Sequence, residues 1–186
     1  VAKDEIAFVE GMLEKAQGLK PWRVVQGGAE RQYSIANGMA HLAVDADIVL
    51  VHDAARPLVN LAAIEAVISA AREKGAAIAA VRAKNTIKVV SEDGRVEATP
   101  ARASLWEVQT PQGFRREILQ RAYEKAAQDG FLGTDDASLV ERIGEAVFVV
   151  ESDYGNLKIT TPEDLWMAEA LLAHSAGIVD EMKVKI

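Results

Sequence analysis

Asp53 and Arg56 stand in the run His52-Asp53-Ala54-Ala55-Arg56-Pro57, directly after the apolar stretch Ala46-Asp47-Ile48-Val49-Leu50-Val51. A carboxylate suits a hard cation such as Mg²⁺, which keeps waters and substrate phosphates as its other ligands. A guanidinium presents a planar fork of donors that matches phosphate. An acid for metal and a cation for phosphate on one turn are the equipment of phosphoryl or nucleotidyl transfer. The same residues also read as a strand-end turn in which Asp53 and Arg56 only pair with each other.

Two other segments carry similar chemistry. Gly27-Gly28-Ala29-Glu30-Arg31-Gln32-Tyr33-Ser34 is a glycine pair running into a helix. Paired glycines let the backbone come close to a ligand, and the amides that follow can face an anion or a base edge. Arg31 and Ser34 share one side of the first turn; a plain tight turn is the competing reading. In Asn156-Leu157-Lys158-Ile159-Thr160 the two-residue period puts Lys158 and Thr160 on one face. A cation beside a hydroxyl at a helix start suits phosphate, although a solvated lysine ahead of a well-capped helix is the plainer alternative.

The elements that must hold these residues follow from pattern. Helices are expected over 1–17, 34–42, 61–74, 116–129 and 135–143, with Thr134 as the cap of the last. Another starts at Thr161-Pro162-Glu163-Asp164, with threonine at the cap and proline in the first position. Short β-branched runs at 22–25, 48–51, 76–81 and 146–150 read as strands. Their alternation predicts an α/β fold, a Rossmann-like, mostly parallel sheet with helices on both faces. Ligands in such sheets bind beyond the carboxyl ends of the strands, where Asp53 falls. Thr110-Pro111-Gln112-Gly113-Phe114 reads as a break. The alternating runs 86–90 and 95–99 around Glu92-Asp93-Gly94 read as a β-hairpin, which is marginal alone and packs on its own domain or on another subunit.

Composition narrows the classes. The 186 residues support one domain, carry a net charge of −7 and include no cysteine. Disulfides and thiolate metal sites are excluded. The acidity argues against nucleic acid or an anionic membrane as partner, yet leaves a nucleotide substrate open. The three histidines, His41, His52 and His174, form no zinc spacing. With no bilayer-length apolar run and no secretory signal, a cytoplasmic location is expected.

Gly-Gly-x-x-Arg-x-x-Ser, His-Asp-Ala-Ala-Arg-Pro, Thr-Pro-Gln-Gly-Phe and Asn-Leu-Lys-Ile-Thr-Thr-Pro-Glu-Asp-Leu occur in this order. Together they resemble the 2-C-methyl-D-erythritol 4-phosphate cytidylyltransferase family, nearly from end to end. The resemblance implies a nucleotide-diphospho-sugar-transferase type of fold. It implies transfer of the cytidylyl group from CTP to methylerythritol 4-phosphate with Mg²⁺, releasing pyrophosphate, in non-mevalonate isoprenoid synthesis. By motif, Gly28 and Ser34 would contact cytosine, with Arg31 supporting that loop. Asp53 would hold Mg²⁺ and nucleotide, and Arg56 would lie near the methylerythritol phosphate. Lys158 would sit at the α-phosphate, with Thr160 close by. Thr86, Arg102 and Thr110 match positions around methylerythritol phosphate. The hairpin, at about 86–104, would be an arm exchanged across a homodimer, so that Thr86 and Arg102 would serve the partner's site.

Two departures stand out. Ala29 occupies a position where the family often has an acid. The family's glycine-rich loop, close to Pro-Ala-Ala-Gly-x-Gly-x-Arg, and its Pro-Lys-Gln are absent from residues 1–186. The chain is therefore expected to be an N-terminally incomplete single domain that does not turn over by itself. Absence of the family's central first strand would leave two strand edges unpaired. The alternatives are a ribitol 5-phosphate cytidylyltransferase and a catalytically inactive binding module of the same fold. A phosphohydrolase built on His52-Asp53 lacks the further ligands it would need.

Overall fold

The computed structural model describes residues 1–175; the strand-like run 180–186 lies outside them. In chain order the elements are α1 (Ile6–Lys15), α2 (Arg31–Met39), β1 (Ile48–Val51), α3 (Leu61–Lys74), β2 (Ala76–Arg82), β3 (Val89–Val90), β4 (Val96–Ala98), β5 (Trp106–Arg115), α4 (Arg116–Asp129), α5 (Asp136–Arg142), β6 (Phe148–Glu151) and α6 (Pro162–Ser175). The main sheet has the order β1-β5-β2-β6. β2 and β6 pair in parallel, whereas β5 runs antiparallel to both β1 and β2. β1, β2 and β6 thus share one direction, and the sheet is mixed because β5 opposes them.

β5 corrects the expectation of a break at Thr110-Pro111-Gln112-Gly113-Phe114: these five residues lie inside a strand of ten. Proline lacks the N–H that a ladder needs, which is what argues for a break locally. The strand accommodates it with an irregularity. Ile78 pairs with Gln112 but Ala80 pairs with Val108, so Gln109, Thr110 and Pro111 bulge out of register against β2. The Thr110–Pro111 bond is cis.

β5 also divides the core. An added Cβ on Gly113 would lie 2.7 Å from Val67 and 2.9 Å from Leu50, so only glycine lets α3 approach here. Its neighbour Phe114 points to the opposite face by strand alternation. There it is buried with Val49, Val51, Ile118, Leu119, Tyr123, Leu139 and Val140. Helix α3 therefore covers one face, with α4 and α5 on the other. Burying an aliphatic or aromatic side chain in such a core contributes about 1.5–3 kcal/mol.

Local signals explain most helix ends. Asn60 caps α3 by accepting the Ala63 N–H at 2.7 Å, and Gly75 closes the helix. α4 matches its sequence pattern over the full range and buries Ile118, Leu119, Ala122, Tyr123 and Ala126. α5 is capped by Asp135, not Thr134: the carboxylate accepts the Ser138 N–H at 2.9 Å, and a charged acceptor suits the positive end of a helix. Residues 22–25 join neither sheet; the Val1 amino group donates to the Val25 carbonyl at 3.1 Å instead. α2 begins at Arg31, three residues ahead of the expected start at 34.

β3 and β4 form a separate two-stranded hairpin, as the alternation predicts. Its root is fixed by Arg82 stacked 4.4 Å over Trp106, Lys84 placed 3.4 Å over Tyr154, and the Arg102 guanidinium donating to the Lys84 carbonyl at 3.1 Å. No helix among the described residues is long and apolar enough to cross a membrane.

Candidate active site

The Asp53 carboxylate emerges from the end of β1 into a ring of cations. Lys158 Nζ lies 3.0 Å from Oδ2, Arg56 Nε 3.7 Å from Oδ2 and Arg31 Nε 3.5 Å from Oδ1. The turn that carries it is closed by the Arg56 N–H donating to the Asp53 carbonyl at 3.0 Å. Burial would push this carboxyl up. The Lys158 hydrogen bond and the charges of Lys158, Arg31 and Arg56 outweigh burial and hold it below the usual carboxylate range. Burial pulls the Arg56 guanidinium down from its usual value, and Asp53 opposes this.

The Lys158 segment is stitched onto the same turn. Ile159 N–H donates to the Ala55 carbonyl at 2.8 Å, and Arg56 Nη1 donates to the Asn156 carbonyl at 2.7 Å. Asn156 is completely buried, and its Nδ2 donates to Gln109 Oε1 at 2.9 Å and to the Thr110 carbonyl at 2.8 Å. It thereby ties the β5 bulge to both Arg56 and Lys158. Asn156 carries no role in the sequence reading, because its partners are 46 and 47 residues away.

The bulge explains how Thr110 reaches the site. Ladder pairing between β1 and β5 ends at Val51–Gln112. Beyond it, the Asp53 N–H donates to Thr110 Oγ1 at 3.0 Å, and that hydroxyl meets His52 Nδ1 at 3.0 Å. A bulge frees a strand residue from its ladder and re-aims it.

Arg31 has more to do than brace a loop. Its Nη2 donates to the buried Asp136 at 2.8 Å, while Nε faces Asp53. Burial works against the Arg31 charge, and Asp136 more than offsets it. Tyr123 donates its hydroxyl to the same Asp136, and burial together with that carboxylate raises the phenol far above its ordinary value. Asp136 and Tyr123 are absent from the sequence-level site; Asp136 falls there only within the helix expected over 135–143.

Of the other sequence candidates, Gly28 N–H donates to Ser34 Oγ at 3.0 Å, and Ser34 Oγ donates to the Glu30 carbonyl at 3.2 Å. A Cβ on Gly28 would stand 2.3 Å from the Tyr33 Cβ, so the packing of α2 already demands glycine there. Thr160 donates both its N–H and its hydroxyl to Asp164 Oδ2 at 2.9 Å, bonds that secure the start of α6. Thr86 and Arg102 are exposed on the hairpin and its root and do not meet the Asp53 cluster.

Two cavities flank the cluster. One, of about 350 Å³, is lined by Arg56, Gln109, Thr110, Gln112, Thr134 and Asp135; the other, of about 340 Å³, by Ser34, Ile35, Val51, His52, Ala54 and Ala55. Both are also lined by Arg31, Asp53 and Lys158, which form the wall between them. A carboxylate and three cations lining two cavities, beyond a strand end of a mixed α/β sheet, are suited to group transfer between anionic substrates.

The comparisons make that class particular. The family model described as "IspD: 2-C-methyl-D-erythritol 4-phosphate cytidylyltransferase" matches residues 1–174, and the chain belongs to this family. The 2-C-methyl-D-erythritol 4-phosphate cytidylyltransferase of Bacillus pumilus is 53% identical over 178 residues, which are 95% of this chain and 77% of that protein. The Caldanaerobacter subterraneus enzyme of the same name is 51% identical over 163 residues, 88% of this chain and 72% of that one. Among solved structures, 4-diphosphocytidyl-2C-methyl-D-erythritol synthase from Anaerococcus prevotii superposes with a TM-score of 0.84 at 36% identity, covering 92% of this chain and 78% of its own. The fold and enzyme class expected from the motifs, a nucleotidyltransferase of the cytidylyl type, are therefore correct.

Proposed function

We propose that this chain carries the site for transfer of a cytidylyl group from CTP to 2-C-methyl-D-erythritol 4-phosphate. The observation that supports it best is the pair of cavities sharing Arg31, Asp53 and Lys158. A transfer between two phosphorylated substrates needs two compartments meeting at the reacting phosphorus. The Ser34 and His52 side would take the nucleotide, and the Arg56 and Thr110 side the alcohol phosphate. An oxygen of the substrate phosphate forms a bond to the α-phosphorus, the bond from that phosphorus to its bridging oxygen breaks, and pyrophosphate leaves. Little covalent chemistry falls to the protein, so positioning and charge neutralisation dominate. Lys158 is suited to stabilise charge at the α-phosphate, and Arg56 brings a guanidinium to the wall of the same cavity.

The residues suit Mg²⁺ held largely by its substrate. Among the described residues no three His, Asp or Glu side chains gather as ligands. A single carboxylate with phosphates and waters is nonetheless ordinary coordination for this ion. Asp53 would hold it, and the ion would add neutralisation of triphosphate charge.

The hairpin is the proposed dimer arm. Ile87, Val89, Val90 and Val96 on it are each at least 43% exposed, an apolar surface that pairing with a second copy would cover. Thr86 and Arg102 would then reach the partner's site, and a cytoplasmic location fits a biosynthetic enzyme.

The test is Mg²⁺-dependent pyrophosphate release from CTP by the complete gene product, with methylerythritol 4-phosphate or ribitol 5-phosphate as acceptor. Release with the first alone is expected. Release with ribitol 5-phosphate alone would overturn the substrate, and release with neither would overturn the activity.

A further inference from the structure

His52 has no role in the reading above, yet its ring touches both ends of the catalytic turn. Nε2 lies 3.0 Å from the Arg56 carbonyl, and Nδ1 lies 3.0 Å from Thr110 Oγ1. A carbonyl only accepts, so Nε2 carries a proton, and in the neutral imidazole Nδ1 is then the bare nitrogen. The Thr110 hydroxyl therefore donates to Nδ1, while the same oxygen accepts the Asp53 N–H at 3.0 Å. The chain runs from Asp53 N–H to Thr110 to the imidazole and on to the Arg56 carbonyl. It leaves the turn at the residue bearing the acid and re-enters it at the residue bearing the guanidinium. Thr110 is 4% exposed, whereas His52 lies at the surface.

We infer that His52 is a positioning residue for cytidylyl transfer, acting through the Thr110 hydroxyl to fix the Asp53 main chain. The inference deepens the function proposed above and rests on it. A shift of about 1 Å in a reacting constellation can cost about a hundredfold in rate, and one imidazole here fixes the base of the carboxylate that meets Lys158.

Two substitutions separate the halves of the ring. In His52→Asn the side-chain oxygen can stand where Nδ1 stands and accept from Thr110, while the bond to the Arg56 carbonyl is lost. In His52→Gln the amide nitrogen can stand where Nε2 stands and donate to Arg56, while the Thr110 bond is lost. The full set is His52→Ala, His52→Asn, His52→Gln, Thr110→Val and the double variant His52→Ala with Thr110→Val, each in the complete gene product.

For His52→Ala we expect kcat to fall about tenfold or more, with KM for CTP within about twofold. Asn is expected to restore most of kcat and Gln little. The double variant is expected to be no slower than the slower single one, because both remove the same link. Additive losses, rescue by Gln but not Asn, or a rise in KM for CTP alone would overturn the inference; the last would make His52 a direct nucleotide contact. Amide exchange gives a readout that does not depend on turnover. The Asp53 amide should exchange at least about tenfold faster in His52→Ala and not in His52→Asn, with the global unfolding midpoint unchanged. Unchanged exchange at Asp53 would refute the link even if the wild-type enzyme proved silent, whereas silence of the wild type bears only on the proposed reaction.

Discussion

Arg31 joins two carboxylates at opposite ends of one guanidinium. At the end of β1, Asp53 retains 16% of its side-chain exposure and faces Lys158, which is 45% exposed over two cavities. At the start of α5, Asp136 is 1% exposed and receives the half-exposed Arg31 and the buried Tyr123 hydroxyl. The pairing chemistry is the same; the burial of the carboxylate and of its second partner differs. Asp136 has no contact that a ligand could replace without leaving a buried charge unpaired. Asp53 holds Lys158 from a position where an arriving phosphate can take it over. Ion pairing therefore does not by itself separate the proposed site from a structural pair; a partly exposed carboxylate with an exchangeable partner does.

The comparison is broken most severely at the closed end. Asp136→Ala leaves the buried Tyr123 hydroxyl without its acceptor and Arg31 with Asp53 alone, and should cost about 3 kcal/mol of stability, read from urea unfolding. Lys158→Ala should do the reverse. Stability should stay within about 1 kcal/mol because Lys158 is half exposed and Asp53 keeps Arg31 and Arg56. The kcat for pyrophosphate release should fall about 10²–10³-fold, the usual cost of a lost transition-state donor.

Asn156→Ala should fall between the two. It strips buried partners from Gln109 and the Thr110 carbonyl, costing about 1–3 kcal/mol, and it loosens the segment that carries Lys158, so kcat should drop as well. Equal loss of stability with unchanged kcat would show that Asn156 braces the fold alone.

The smallest expected effect is on acid stability. Asp53 is held below its ordinary value, so its contribution is fully present above the unfolded carboxylate value of about 3.9 and is lost as pH falls through the lower folded value. Asp53→Asn should lower the unfolding midpoint modestly at neutral pH and flatten the acid limb, so that its profile and the wild-type profile converge below that window.

What was legible in the sequence follows the same division. Asp53, Arg56 and Lys158 announce themselves because a buried strand and a capped helix each end beside them, and both signals are local. Helix α4 is legible over its whole length from its apolar period and Gly130. β5 is not, because Pro111 speaks locally for a break, whereas the pairing that holds the strand comes from β1 and β2, 24 or more residues away. Asn156, Asp136 and the His52–Thr110 link were missed for a related reason. Their hydrogen-bond partners are brought in by the bulge and by α4, and no spacing along the chain encodes a contact of 46 or 58 residues. The glycine pair taught the opposite lesson: Gly28 is required by the Tyr33 side chain before any ligand is considered.

The most direct measurement is the rate of Mg²⁺-dependent pyrophosphate release from CTP and methylerythritol 4-phosphate by Asp53→Asn, compared with wild type at equal concentrations of folded complete gene product. The account predicts a rate at least about a hundredfold lower with the variant still fully folded at the assay temperature. A folded Asp53→Asn enzyme that works within about twofold of wild type would contradict it.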